Sequence, residues 1–407
     1  MSEKKLVPKK RFESFKSEWI EKSLNEISES FTYGLNVEAI EYDGENKYLR
    51  ITDIDDITRK FNKNELTSPH IDYEISSDYI LSEGDILFAR TGASVGKTYR
   101  YSKLDGIVYY AGFLIKARIK KEHDIEFIFQ NTLTKEYKRF VYVTSQRSGQ
   151  PGINAQEYST FKLFTPTIEE QQKIGAFFKV LDDRITNQER KLAKVKALKD
   201  AYLTEMFPQE GETVPKRRFK GFEDEWRKDK LMNIAETYSG GTPSITSKLF
   251  YNGDIPFIRS GEIGKQVTNL HITEEGLTNS SARLVNEGDI LYALYGATSG
   301  EVSISKINGA INQAVLAIEP KNDNDNHFLV YWLKKHKQKI IETQLQGGQG
   351  NLSGELIRKT VIDLPSKEEQ QKIGEFFKNL DNQIEMEKKK LDKLQKMKEA
   401  YLEEMFV

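Results

Sequence analysis

The strongest pattern along this chain is a row of apolar positions stepped at alternating intervals of four and three. From residue 174 the row is Ile174, Phe178, Leu181, Ile185, Gln188, Leu192, Val195, Lys199, Tyr202 and Met206. From residue 373 it is Ile373, Phe377, Leu380, Ile384, Glu387, Leu391, Leu394, Lys398, Tyr401 and Met405. Eight of ten positions are apolar in each row, and both rows break at the same two steps. A 3.5-residue period marks a helix that supercoils against another. The surrounding stretches, 169–206 and 368–405, align without a gap at 22 of 38 identical positions. A 38-residue helix is about 57 Å long, more than a small domain is wide. Packing each row on its own preceding segment is the alternative, but most of the row would then hang free. Two near-identical seams are natural partners, so an antiparallel coiled coil with a pseudo-twofold axis is predicted. Leu198 and Met397, one residue before each Lys break, are placed to cover it.

Between the helices the pattern shortens to strand-like runs, and these are duplicated too. EGDILFARTGASVGK (83–97) recurs as EGDILYALYGATSGE (287–301), VPKKRF (7–12) as VPKRRF (214–219), and Glu18-Trp19 as Glu225-Trp226. GQPGIN (149–154) is matched in position by GQGNLS (348–353), and YLRITDI (48–54) by FIRSGEI (257–263), keeping Arg50 and Arg259 in step. The offset between copies drifts, so insertions fall inside the two heads, where loops tolerate them. GDILFA and GDILYA, each entered from a Gly-Asp turn, predict strands. Residues 106–119 and 309–319 predict more, and helices are expected near 124–143 and 324–345. FPQEGETVPKR (207–217) has the two prolines and glycine of a linker. The expected fold is α+β. Two similar α/β domains occupy 1–167 and 219–366, spacer helices 168–207 and 367–407, and a linker 208–218.

Composition narrows the function. A chain of 407 residues with 38% hydrophobic and 30% charged residues has enough apolar material for packed cores. No apolar run approaches the ~18 residues of a membrane span. MSEKKLVPKKRF carries no apolar signal core, so a cytoplasmic protein without a membrane partner is expected. The absence of cysteine excludes disulfides and thiolate metal sites, and the five histidines show no zinc-ligand spacing. A net charge of −1 argues against simple nucleic-acid binding, so local charge decides. Between Ile86 and Lys120 stand Arg90, Lys97, Arg100, Lys103, Lys116, Arg118 and Lys120 against the lone acid Asp105. That is a candidate phosphate-facing patch, with a solvated strand edge as the alternative. SQRSGQPGIN (145–154) adds Gln146, Arg147, Gln150 and Asn154, whose side chains match guanine and adenine edges. The second head has different polar loops, holding Thr242, Ser244, Lys248, Arg259, Lys265, Gln349 and Asn351.

Catalytic signatures are missing. Thr91–Thr98 approaches a phosphate-binding loop, but the first glycine is one residue too close and Glu301 replaces Lys97 in the second copy. An ordinary Gly-rich turn accounts for Gly92, Gly96, Gly296 and Gly300. There is no nucleophile elbow, no dinucleotide fingerprint, no catalytic residue set and no metal site to assign. The chain alone is not expected to be an enzyme.

The GDILFARTGASVGK and GDILYALYGATSG pair, SGGTPS followed by GDIPFIRSGEI, and the duplicated EEQQKIG…LD helices together resemble the specificity subunit of type I restriction-modification systems. The resemblance covers essentially the whole chain. It implies two target-recognition domains, each reading half of a split site in double-stranded DNA. It implies a helical spacer that docks two methyltransferase (M) subunits, with two restriction (R) subunits completing the complex. AdoMet, ATP and Mg²⁺ would belong to those partners, with no cofactor in this chain. The first head departs at ESFTYGLN (29–36), where the second carries GGTPS, so the loop's role is not carried over to it. Two readings from other classes stand beside this one. They are a two-headed protein-interaction scaffold and a nucleotide hydrolase that uses Lys97.

Overall fold

A computed structural model describes residues 7–147, 149–321, 323–346 and 352–407. The two long helices run Ile168–Glu205 and Lys367–Met405. The chain divides into two units, Met1–Glu189 with Lys390–Val407, and Arg190–Lys389. Each unit thus holds one head, the first turns of the helix that follows it, and the last turns of the other helix.

In the first unit the head carries an antiparallel sheet ordered Ser28–Tyr33, Leu114–Ile119, Asp85–Ala89 and Thr98–Arg100. Asp85–Ala89 is buried along its whole length, which explains an unbroken apolar run instead of alternation. Its alternate residues serve two cores. Ile86 and Phe88 join Trp19, Phe127, Ile174 and Phe178, while Leu87 and Ala89 join Leu49, Ile54 and Tyr110. The second unit repeats the plan with Ala235–Ser239, Val315–Pro320, Ile290–Ala293 and Val302–Ile304. Parallel pairs flank both sheets, Lys47–Leu49 with Val108–Tyr110 and Tyr251–Ile258 with Gly309–Ile311.

The structure corrects two expectations. The long strands expected at 106–119 and 309–319 are each two strands separated by a tight turn, closed by Leu114 N–H to Ala111 O at 2.8 Å and Val315 N–H to Asn312 O at 3.2 Å. The helix expected at 124–143 is broken into Ile125–Asn131 and Lys135–Thr144. There Thr132 turns its hydroxyl back on Phe129 O, and Thr134 caps the second helix. The counterpart Asn326–Gln346 is continuous.

The repeated sequence motifs have repeated structural reasons. A Cβ on Gly175 would lie 2.2 Å from Asp124 Oδ1, and one on Gly374 2.1 Å from Asp325 Oδ1. Each head's helix-capping aspartate sits against that glycine, which offsets the ~1 kcal/mol that glycine costs within a helix. The EEQQ motif supplies a buried carboxylate to the Arg-Phe motif. Arg11 donates to Glu170 at 2.7 Å through both Nε and Nη2, and Arg218 to Glu369 at 2.7 and 2.8 Å. Each pair is bidentate. Aromatic boxes are duplicated as well. Phe406 lies 5.2 Å from Phe127 and 5.6 Å from Phe178, and Phe207 lies 5.7 Å from Phe328 and 5.9 Å from Phe377.

Within each unit the helices run antiparallel. In the first, Phe177 meets Tyr401 and Asp182 meets Lys398. In the second, Tyr202 meets Phe376, Lys199 meets Asp381 and Lys191 meets Glu387. Of the seam, Ile174, Phe178, Leu181, Ile185, Leu192, Val195, Ile373, Phe377 and Leu380 are buried. Tyr202, Ile384, Leu391, Leu394 and Tyr401 are half-buried. The outer seam positions serve helix and head together, because Ile174, Phe178, Ile373 and Phe377 also belong to the head cores. Leu198 is 46% exposed and does not cover Lys199; a carboxylate answers the lysine instead. Among the described residues no helix is long and apolar enough to cross a membrane, and no acidic, histidine or cysteine cluster is arranged to hold a metal.

Candidate nucleic-acid interface

Both heads turn at a glycine where the first sheet strand ends. A Cβ on Gly34 would lie 2.3 Å from Tyr110 O, and one on Gly240 only 1.8 Å from Ile311 O. The registers agree, since Tyr33 pairs with Ile115 and Ser239 with Leu316. Gly34 therefore corresponds to Gly240 and Asn36 to Thr242. The first head's ESFTYGLN loop, different in sequence, occupies the place of GGTPS.

In the first head this turn meets the Gly-rich loop. Arg90 N–H donates to Phe113 O at 3.0 Å, Gly92 N–H to Pro151 O at 3.0 Å, and Ile153 N–H to Arg90 O at 2.9 Å. The Arg90 guanidinium stacks 4.9 Å from the Tyr33 ring centroid, a cation–π contact. The Gln150 side chain lies over Gly92, 2.8 Å from where a Cβ would stand. Tyr33, Asn36, Arg90, Phe113 and Gln150 are thus gathered at one end of the sheet.

Other candidates are held by acids far away in sequence. Lys97 pairs with Asp56 at 2.5 Å, Arg100 with Glu126 at 3.0 Å, Lys103 with Glu83 at 2.8 Å and Arg118 with Asp85 at 2.7 Å. Lys116 and Lys120 donate to the carbonyls of Asp78 and Glu26. The basic window between Ile86 and Lys120 is therefore largely neutralised by Asp56, Glu83, Asp85 and Glu126, all of them outside it. Asn154 caps the helix Ala155–Ser159 through Glu157 N–H at 2.9 Å, and Arg147 reaches Glu157 at 2.5 Å. Gln146 and Gln150 are exposed. Thr98, the would-be phosphate-loop hydroxyl, is fully buried and bonded to the Thr132 hydroxyl at 2.7 Å.

Arg50 and Arg259 are twins in space. Each opens a 3₁₀ turn, Ile51–Asp53 or Ser260–Glu262, and ion-pairs with its third residue, Asp53 at 2.9 Å and Glu262 at 3.0 Å. These hydrogen bonds raise both guanidinium pKa values. Burial pushes the Glu262 carboxyl up, but bonds from Arg259 and from the Asn269 and Arg259 N–H groups hold it below its ordinary value. In the second head Thr242 donates to Gln313 Oε1 at 2.6 Å, and Ser244 meets Thr246 at 2.8 Å. Lys248 and Lys265 are exposed and form no ion pair among the described residues. Gln349 and Asn351 lie outside the described residues. Sequence reading missed Asn36, Phe113 and Gln313. Phe113 and Gln313 sit in runs read as uninterrupted strand, and Asn36 sits in a loop whose glycine register only the sheet reveals.

Comparison with known proteins agrees across the chain. The family described as the type I restriction modification DNA specificity domain matches residues 16–197 and again 223–396. The chain is 24% identical to the putative type I restriction enzyme MjaX specificity subunit of Methanocaldococcus jannaschii, over 82% of this chain and 80% of that one. It is 25% identical to the HindI specificity subunit of Haemophilus influenzae, over 91% and 95%. The crystal structure of a type I restriction-modification S subunit from M. genitalium shares the fold at a TM-score of 0.67 and 16% identity, covering 98% of this chain and 99% of that one. The family match falls once on each head with most of its helix, and this chain belongs to the specificity subunits of type I restriction-modification systems.

Proposed function

We propose that each head reads one half of a two-part DNA target, and that the helices dock two methyltransferase subunits, to which two restriction subunits are added. The observation that carries this reading is one frame with two different edges. Gly34 and Gly240, and the Arg50 and Arg259 turns, are shared. The side chains presented beside them are not. Two readers on one scaffold, each with its own base-facing set, fit a target with two unlike halves. Chemistry would fall to the partners, which would bind AdoMet, ATP and Mg²⁺. The near-neutral charge of this chain and the internal pairing of its cations leave much of the phosphate neutralisation to those partners. The lone chain should then bind DNA weakly and lose that binding steeply with salt.

The test is genome-wide mapping of methylated adenines, with the gene present, deleted, and carrying another head in place of residues 219–365. Deletion should erase methylation at one two-part motif, and the exchange should alter one half of that motif only. A change in both halves would contradict independent reading.

A further inference from the structure

We propose that Asn36 in the first head and Gln313 in the second are base-reading side chains directed at adenine; this rests on the DNA-reading function above. The two heads differ at most loop positions around Gly34 and Gly240, yet each presents an exposed carboxamide where the strand-end loop meets the turn between two later strands, in addition to the exposed Gln150 of the first head's Gly-rich loop. The amide arrives from opposite loops. In the first head it comes from the strand-end loop as Asn36, facing Gly112, where a Cβ would stand 2.1 Å from Asn36 Oδ1. In the second head the residue at the Gly112 position is Gln313, and the one at the Asn36 position is Thr242. The Thr242 hydroxyl donates to Gln313 Oε1 at 2.6 Å. One loop supplies the amide and the other makes room for it or steadies it.

The chemistry suits adenine. A carboxamide accepts from N6–H and donates to N7 in the major groove, a bidentate match that no other base offers in the same order. The Asn36 side chain forms no hydrogen bond among the described residues and is exposed. Gln313 Oε1 keeps a lone pair after receiving Thr242, and the Gln313 side chain is exposed. The setting is not that of a phosphate site. Asn36 lines an open cleft of about 600 Å³ with Tyr48, Arg50 and Phe113, and Arg50 is neutralised there by Asp53. Phe113 is 56% exposed at the lip, where its ring can meet a thymine methyl or a base face. The second head has Ala314 in that position. The same adenine reader beside unlike neighbours would give half-sites that share an A·T pair and differ around it.

The experiment uses the assembled methyltransferase complex with AdoMet on duplexes randomised through the target. Asn36→Ala should lower the preference for one A·T pair in one half-site by roughly 5- to 150-fold and leave the other half unchanged. Gln313→Ala should do the same in the other half. Asn36→Asp and Gln313→Glu keep the shape but only accept, so preference should move from adenine toward cytosine, which a purely structural role would not produce. Gly112→Gln alone forces a side chain against Asn36 and should lose recognition. Combined with Asn36→Thr it rebuilds the second head's arrangement and should restore the adenine preference. Wild-type base preferences at every position in both alanine variants, with melting temperatures unchanged, would overturn the assignment. Absence of sequence-specific methylation by the wild-type complex would instead overturn the DNA-reading function itself.

Discussion

The two units meet the same polar break in the seam with different partners. In the first unit Lys398 pairs with Asp182 at 2.6 Å, Asp182 accepts from Gln130 at 2.8 Å, Gln130 donates to Glu126 at 3.0 Å, and Glu126 pairs with Arg100 at 3.0 Å. In the second unit Lys199 pairs with Asp381 at 2.5 Å, and Tyr331 closes the layer by donating to Asp381 at 2.6 Å. The lysine and the aspartate come from the helices and are repeated. Everything beyond the aspartate comes from the head and is not. A charged residue in a seam must be answered, because an unpaired buried charge costs several kcal/mol. How it is answered is left to whichever head is present. The heads are therefore free to diverge at the polar layer and at the reading edge, and are constrained where backbone meets backbone.

Removing a shared constraint should hurt both units alike. Arg218→Ala strands the fully buried Glu369 carboxylate, and Arg11→Ala strands Glu170. Each should cost roughly 3–5 kcal/mol, the range for breaking one partner of a buried pair. Thermal or denaturant unfolding of the two variants reads this. A large loss in one and none in the other would break the equivalence of the units. Gly240→Ala and Gly34→Ala come next, at roughly 1–3 kcal/mol, because the new methyl meets a backbone carbonyl that cannot swing away. The closer approach at Gly240 ranks it above Gly34. The reverse order would show that the second head relaxes more easily than its geometry suggests.

Much of the frame was legible in the sequence because it is written twice. The seam period, the GDIL strands and the Arg-Phe and EEQQ motifs mark residues that repeat for physical reasons, a bidentate pair or a packed strand. The reading edge was less legible, for reasons of distance along the chain. The window from Ile86 to Lys120 holds seven cations and one acid, but Asp56, Glu83, Asp85 and Glu126 reach in from outside it. Asn154 looks like a base reader by type and is used as a helix cap, because capping needs the same short polar side chain. Phe207 sits beside a proline in a stretch with linker composition, yet it is fully buried. Gln313 was concealed by the β-branched and aliphatic residues around it, since a three-residue turn between two strands leaves little mark on periodicity.

The smallest effects concern pH, and there the two polar layers should differ in sign. Burial pushes Asp381 up, but the hydrogen bonds from Lys199 and Tyr331 and the nearby Lys334 charge hold it below its ordinary value of 3.8. A depressed folded value contributes stability above pH 3.8 that is lost as pH falls through the lower folded value. Water screens this partly exposed carboxylate, so the change should be modest. Glu126 is the opposite case. Burial raises it above 4.5, and Arg100 only partly offsets that rise. Its contribution is complete below pH 4.5 and is lost as pH rises through the raised folded value. A tenfold difference in proton affinity between folded and unfolded chains corresponds to about 1.4 kcal/mol. Unfolding followed from pH 3 to 7 should therefore show Asp381→Asn with a flatter acid limb than wild type. Glu126→Gln, which cannot ionise, should gain on wild type as pH rises above 4.5. Curves parallel to wild type in both variants would mean that neither layer titrates, and that the heads differ in their contacts without differing in their electrostatics.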